Sequence, residues 1–156
     1  MSSDTLMSIV FGEYYKGVQE NPSHQNNGPE VDLYLLSVGL NPNDPDPKNK
    51  AWCMAFTYWC HWKAGITNLP RTGLVYNFYM GSKNLNKIFT DASQLQVGDI
   101  VMKLNPPHAG IVSKINGPND IFYISGNTSK KGFSGDCYVN EHQLSLAVFT
   151  QYARYW

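Results

Sequence analysis

The order of elements predicts an α+β fold, with N-terminal helices packed on a C-terminal antiparallel sheet. Three observations carry that reading. The stretch Ala51–Gly65 is apolar at Trp52, Met54, Ala55, Phe56, Tyr58, Trp59, Cys60 and Trp62, almost all the way round a helix. A helix of that kind is buried rather than laid on a surface. From Ile100 onward, short apolar runs alternate with turn residues, the pattern of paired strands. No repeat, low-complexity tract or linker interrupts the 156 residues, so residues 1–156 are expected to form one domain.

In chain order, Ser3 or Asp4 caps a short first helix running to about Gly12. Residues 17–28 read as loop, punctuated by Gly17, Asn21-Pro22 and Asn26-Asn27-Gly28. Pro29 opens a second helix; Val31, Tyr34, Leu35 and Val38 share its apolar face, and Gly39 ends it. Prolines 42, 45 and 47 mark the loop that delivers the chain to the central helix, Cys53 to Ala64, which Gly65 stops. Leu74 to Met80 predicts another helix, ending at Gly81, and residues 84–97 carry no clear pattern. A turn at 96–99 leads into a strand over Ile100–Leu104, broken by Pro106-Pro107. Strands Ala109–Ile115 and Ile121–Ser125 flank a hairpin turn at 116–120. Residues 128–135 form a polar loop, and 137–143 and 147–155 close the sheet.

Composition narrows the function. Acidic and basic residues balance at 12 each and charged residues are only 15%, which gives no basic face for nucleic acid or an anionic membrane. Leu6 to Phe11 is too short and broken for a signal peptide or a membrane span, so no membrane insertion is expected. The chain is then made in the cytoplasm and reaches any outside target by another route. Three cysteines exclude a full disulfide framework. Cys53 and Cys60 lie two helical turns apart, about 10 Å, too far to bridge. Pairing of either with Cys137 stays open.

Cys53 opens the central helix. Four backbone N–H groups there lack helical partners, and the helix dipole adds partial positive charge. That setting favours the thiolate, the nucleophilic form. A cysteine nucleophile needs a base, and the base needs an orienting group. Of the four histidines, His24 lies in a loop, His61 on the central helix and His142 near the last strands. His108 alone opens a strand directly after a Pro-Pro break, where an imidazole can be held rigidly. The 109–125 hairpin brings His108 and Asn127 to the same end of the sheet, so Asn127 can face the far ring nitrogen.

Taken together, Ala-Trp-Cys-Met-Ala-Phe at 51–56, Gly-Asp-Ile-Val at 98–101, His-Ala-Gly-Ile-Val at 108–112 and Ser-Gly-Asn-Thr at 125–128 resemble one family. The lead-in Asn27-Gly-Pro-Glu-Val-Asp-Leu-Tyr-Leu-Leu-Ser-Val-Gly39 fits as well. The chain is similar to CHAP-type amidases, within the NlpC/P60 group of papain-like cell-wall hydrolases, over residues 17–155. The resemblance implies a papain-like fold and a cysteine-dependent peptidoglycan hydrolase. It would act as an N-acetylmuramoyl-L-alanine amidase or as a stem-peptide or cross-bridge endopeptidase. It implies Cys53 as nucleophile, His108 as base and Asn127 as orienting residue. Many members carry an acid two positions before the asparagine. Here Ser125 stands there and cannot supply charge, which leaves orientation to Asn127.

Some CHAP lysins bind calcium near the position of Asp44-Pro-Asp46. The intervening prolines and the nearby Lys48 and Lys50 make a solvated loop the expectation. No Cys-x-x-Cys or His-x-x-x-His pair is present for zinc, so no metal or cofactor is expected. The partners implied are peptidoglycan and, for an exported antibacterial effector, an immunity protein that plugs the groove. A phage lysin released through a holin fits equally. Two other readings remain open: a cysteine peptidase or acyltransferase on a protein substrate, and a non-catalytic wall-binding module on the same scaffold.

Overall fold

The computed structural model describes residues 3–132 and 135–156. Among the described residues four α-helices precede a six-stranded antiparallel sheet, so the chain is α+β as expected. Helix α1 spans Ser3–Lys16, longer than its expected end near Gly12. Nothing lies within 4 Å of where a Gly12 side chain would sit, so that glycine is on open surface and does not stop the helix. Leu6, Met7, Val10 and Glu13 point inward, and Gly17, at φ 71°, ends it. Helix α2 spans Pro29–Ser37 and buries Val31, Tyr34 and Leu35.

Helix α3, Cys53–Lys63, buries every residue from Cys53 to His61. Gly65, at φ 82°, follows it in the left-handed conformation expected. Tyr34 of α2 packs its ring against Trp52, Phe56 and Trp59, with centroids 5.0 to 5.8 Å away. Helix α4, Val75–Asn84, runs straight through Gly81. A Cβ there would meet the Pro70 ring at 2.8 Å, so the glycine serves a close approach rather than a stop.

The strands are β1 Ile88–Phe89, β2 Ile100–Leu104, β3 Pro107–Gly117, β4 Asp120–Thr128, β5 Tyr138–Gln143 and β6 Gln151–Ala153, in the spatial order β1-β6-β2-β3-β4-β5. β1 falls in the patternless stretch and is two residues long, too short to leave a period. The last strand keeps only three residues of the nine expected, because Ser145 accepts backbone bonds from Val148 and Phe149 in a turn.

Strand alternation sorts the sheet into two faces. Ile100, Met102, Ala109, Ile111 and Ile124 join the helices in one core. Val101, Val112, Tyr123, Phe149 and Tyr152 build a second cluster. The register pairs Ile100 with Ile111 and Ile111 with Ile124, so the central strands present one continuous apolar row to α3.

His61 is fully buried on α3. Its Nδ1 lies 2.8 Å from the Thr57 carbonyl and must donate to it, which leaves Nε2 bare and without a partner. Burial pushes the His61 pKa down to about 4. The sign for stability follows. The unfolded chain takes up this proton near pH 6.5 and the folded chain only near 4, so stability is full above 6.5 and is lost as pH falls. His61 alone removes on the order of 3 kcal/mol between pH 7 and pH 4. Urea unfolding at the two pH values measures this, and His61→Gln should flatten the difference; an unchanged slope would contradict the assignment.

Candidate active site

The segment that leads into Cys53 is pinned from both sides. The Lys50 amine, nearly fully buried, donates to Asn27 Oδ1 at 2.7 Å and to the Pro42 carbonyl at 3.3 Å. The Trp52 indole N–H donates to Glu20 Oε1 at 2.9 Å, and Glu20 Oε2 accepts from the Asn26 amide. Thus the 19–28 loop and the proline-rich loop both fix the entry to α3. Asp44 and Asp46 are spent inside their own loop. Asp44 accepts from the Asp46 amide and from Asn49, and Asp46 accepts from the Lys48 amide.

Helix α3 meets the sheet where two glycines of the sequence motifs lie. At Gly126 a Cβ would stand 2.6 Å from the Trp52 ring and 2.8 Å from Phe56 Cβ. At Gly110 it would stand 2.6 Å from the Tyr123 ring and 2.8 Å from the Ile124 carbonyl oxygen. Both are close-contact positions. Gly126 lets the end of β4 press against the start of α3, and Gly110 lets Tyr123 lie across β3.

The backbone amides of Ala109, Met54 and Cys53 itself favour the Cys53 thiolate and pull its pKa down. Ala109 follows His108 directly, so the two candidate residues are adjacent through the β3 backbone, while the His108 ring itself packs against Tyr123 and Phe149. Cys53 is 7% exposed and belongs to the helix-side core. Burial raises its pKa and outweighs those three amides and the nearby Lys103 ammonium. The helix terminus therefore does not hold a resting thiolate here, contrary to the sequence expectation, because desolvation is the larger effect.

His108 is likewise pushed down to about 4, first by burial, then by the positive fields of Lys103 and His142. Lys103 is its direct partner across the β2–β3 ladder. The thiol and the imidazole are thus both neutral at pH 7. His108 Nε2 lies 3.0 Å from Ser125 Oγ. The ring also meets Tyr123 and Phe149 edge-on at 6.5 and 6.3 Å.

A small cleft of about 220 Å³ opens beside this group, lined by Lys103, His108, Tyr123, Asn127, Thr128 and Asp136. Asn127 sits at φ 53° in the irregular end of β4, which turns it into the cleft wall with His108. The side chain within hydrogen-bond distance of the His108 ring is that of Ser125, the residue without charge two positions before Asn127. Its signal was that position. Tyr123 lines the same cleft. Burial, and then the charge of the Cys53 sulfur, push its hydroxyl up to about 12.

All three cysteines are free. Cys137 Sγ lies 3.4 Å from His24 Nδ1. Among the described residues no cluster of three or more histidine, cysteine or acidic side chains is arranged for a metal, and no helix is long and apolar enough to cross a membrane. No family model matches the chain, and neither a curated protein nor a solved structure matches it.

Ser125→Ala removes the Ser125 hydrogen bond to the His108 ring and, with His108 as the base proposed below, should lower kcat/KM by about tenfold with little change in KM. A purely structural serine would instead lower the melting temperature and leave turnover per folded molecule unchanged. Steady-state rates with thermal melts separate the two.

Proposed function

We propose that this chain is a papain-like, cysteine-dependent hydrolase of peptidoglycan, with Cys53 as nucleophile, His108 as base, and Ser125 and Asn127 setting the imidazole. The single observation that carries this reading is the cleft that His108 shares with Asn127, where His108 Nε2 lies 3.0 Å from Ser125 Oγ. The ordered motifs at 51–56, 98–101, 108–112 and 125–128 support the choice of a cell-wall amide as substrate.

Mechanistically, the resting pair is neutral. For one His108 nitrogen to accept the thiol proton, Nε2–H donates to Ser125 Oγ, which fixes the tautomer. Substrate entry into the cleft brings the scissile carbonyl over the sulfur. Cys53 Sγ then forms a bond to the carbonyl carbon as its proton passes to His108. The oxyanion is met by backbone N–H groups at the start of α3, which carry partial positive charge. His108 gives its proton to the leaving amine. Water, deprotonated by His108, hydrolyses the thioester and restores the thiol.

A lysin and an exported effector both fit this chemistry, as do cleavage at the glycan–peptide junction and within the peptide. The burial of the thiol favours one competing reading, a non-catalytic wall-binding module. Incubation with purified peptidoglycan and, separately, with casein tests the proposal. Soluble muropeptides from the first and no peptides from the second are expected. Casein cleavage would move the assignment to a protein substrate, and wall binding without any release would favour the module.

A further inference from the structure

We propose that the groove between α2 and α3, at the far end of α3 from Cys53, docks an acidic, leucine-bearing protein segment. The floor is apolar and open. Leu33 and Leu36 of α2 are 53% and 55% exposed, and Trp62 of α3 is 47% exposed. They face one concavity of about 540 Å³, floored by Trp59. Side chains of this size gathered in one groove leave an apolar surface that a partner would cover. Trp62 lies nine residues beyond Cys53, roughly 13 Å along the helix axis, so the groove is separate from the cleft.

The charge is one-sided. Lys63 and Arg71 are the charged residues lining the groove, and no carboxylate lines it among the described residues. The Lys63 ammonium stands 5.6 Å from the Trp59 ring centroid and 5.4 Å from that of Trp62. Arg71 uses Nε on the Ser37 carbonyl at 2.7 Å. No ion pair engages either cation among the described residues. Two held cations over an apolar floor suit a helix with leucines on one face and carboxylates beside them. A neutral glycan fits less well, because the ammonium already occupies the aromatic surface on which a sugar would stack. This inference does not depend on the cleavage reading.

The probe is a synthetic helical peptide with leucines at i, i+3, i+4 and i+7 and glutamates at the flanking positions, titrated into the full chain. The expected result is saturable binding with a dissociation constant below about 100 μM. The same peptide with lysine for glutamate should bind at least about tenfold more weakly. Lys63→Glu with Arg71→Glu should reverse that preference, while hydrolysis by the variant stays at the parent rate. The wild-type chain gives a second readout that no variant fold can spoil: its tryptophan emission shifts on binding, because Trp59 and Trp62 line the groove. Equal affinity for both peptides, or no binding up to about 1 mM, would overturn the proposal. So would a preference of the groove for a soluble glycan.

Discussion

Cys53→Ala should abolish peptidoglycan hydrolysis, lowering the rate by about 10⁴-fold or more, while the melting temperature stays within about 5 °C of the parent. The two halves of that result have separate causes. The sulfur forms and breaks the bond to the carbonyl carbon in the proposed cycle, and no other group at the site can replace it. The methyl group of alanine fits the same buried space, and the amides of Ala109 and Met54 lose only a weak acceptor. A rate assay with sacculi and a thermal melt read both. Appreciable hydrolysis by the variant would remove Cys53 from the chemistry.

Gly126→Ala should destabilise the chain by about 3 kcal/mol, a fall of roughly 10 °C in melting temperature, and should also reduce activity of the molecules that stay folded. The added methyl would sit 2.6 Å from the Trp52 ring, which is fully buried and held by Glu20 on its other side. The ring cannot swing away without breaking that bond. Either β4 or the start of α3 must shift, and both carry parts of the proposed site. Gly12→Ala is the matched control, since that position faces open space on α1 and alanine favours the helix. Equal melting temperatures for the Gly126 variant and the parent would show that the contact is soft.

The central helix was legible because its signal is local. Eight large or apolar residues in a row of twelve, with Gly65 after them, need no tertiary information. The β2–β3–β4 meander was legible for the same reason, through the Pro106-Pro107 break and the hairpin turn at 116–120. What escaped reading depends on neighbours distant in sequence. Gly81 read as a stop but is a contact for Pro70. Helix α1 passed Gly12 because Glu13 is held by Tyr34, far away in the chain.

The site shows the same division. Cys53, His108 and Asn127 could be picked out by their places at a helix start and at strand ends. The role of Ser125 could not, because a serine is informative only once the ring beside it is seen. The charge state of Cys53 divides in the same way. The helix terminus is visible in sequence, whereas the burial that overrides it belongs to the fold.

Mass spectrometry of muropeptides released from purified sacculi in heavy-oxygen water tests the central claim most directly. The account predicts one new amine and one new carboxylate at a single type of amide, with one heavy oxygen in that carboxylate, and none of these products with Cys53→Ala. Cleavage of a glycosidic bond, products without heavy oxygen, or the same products from the alanine variant would contradict it.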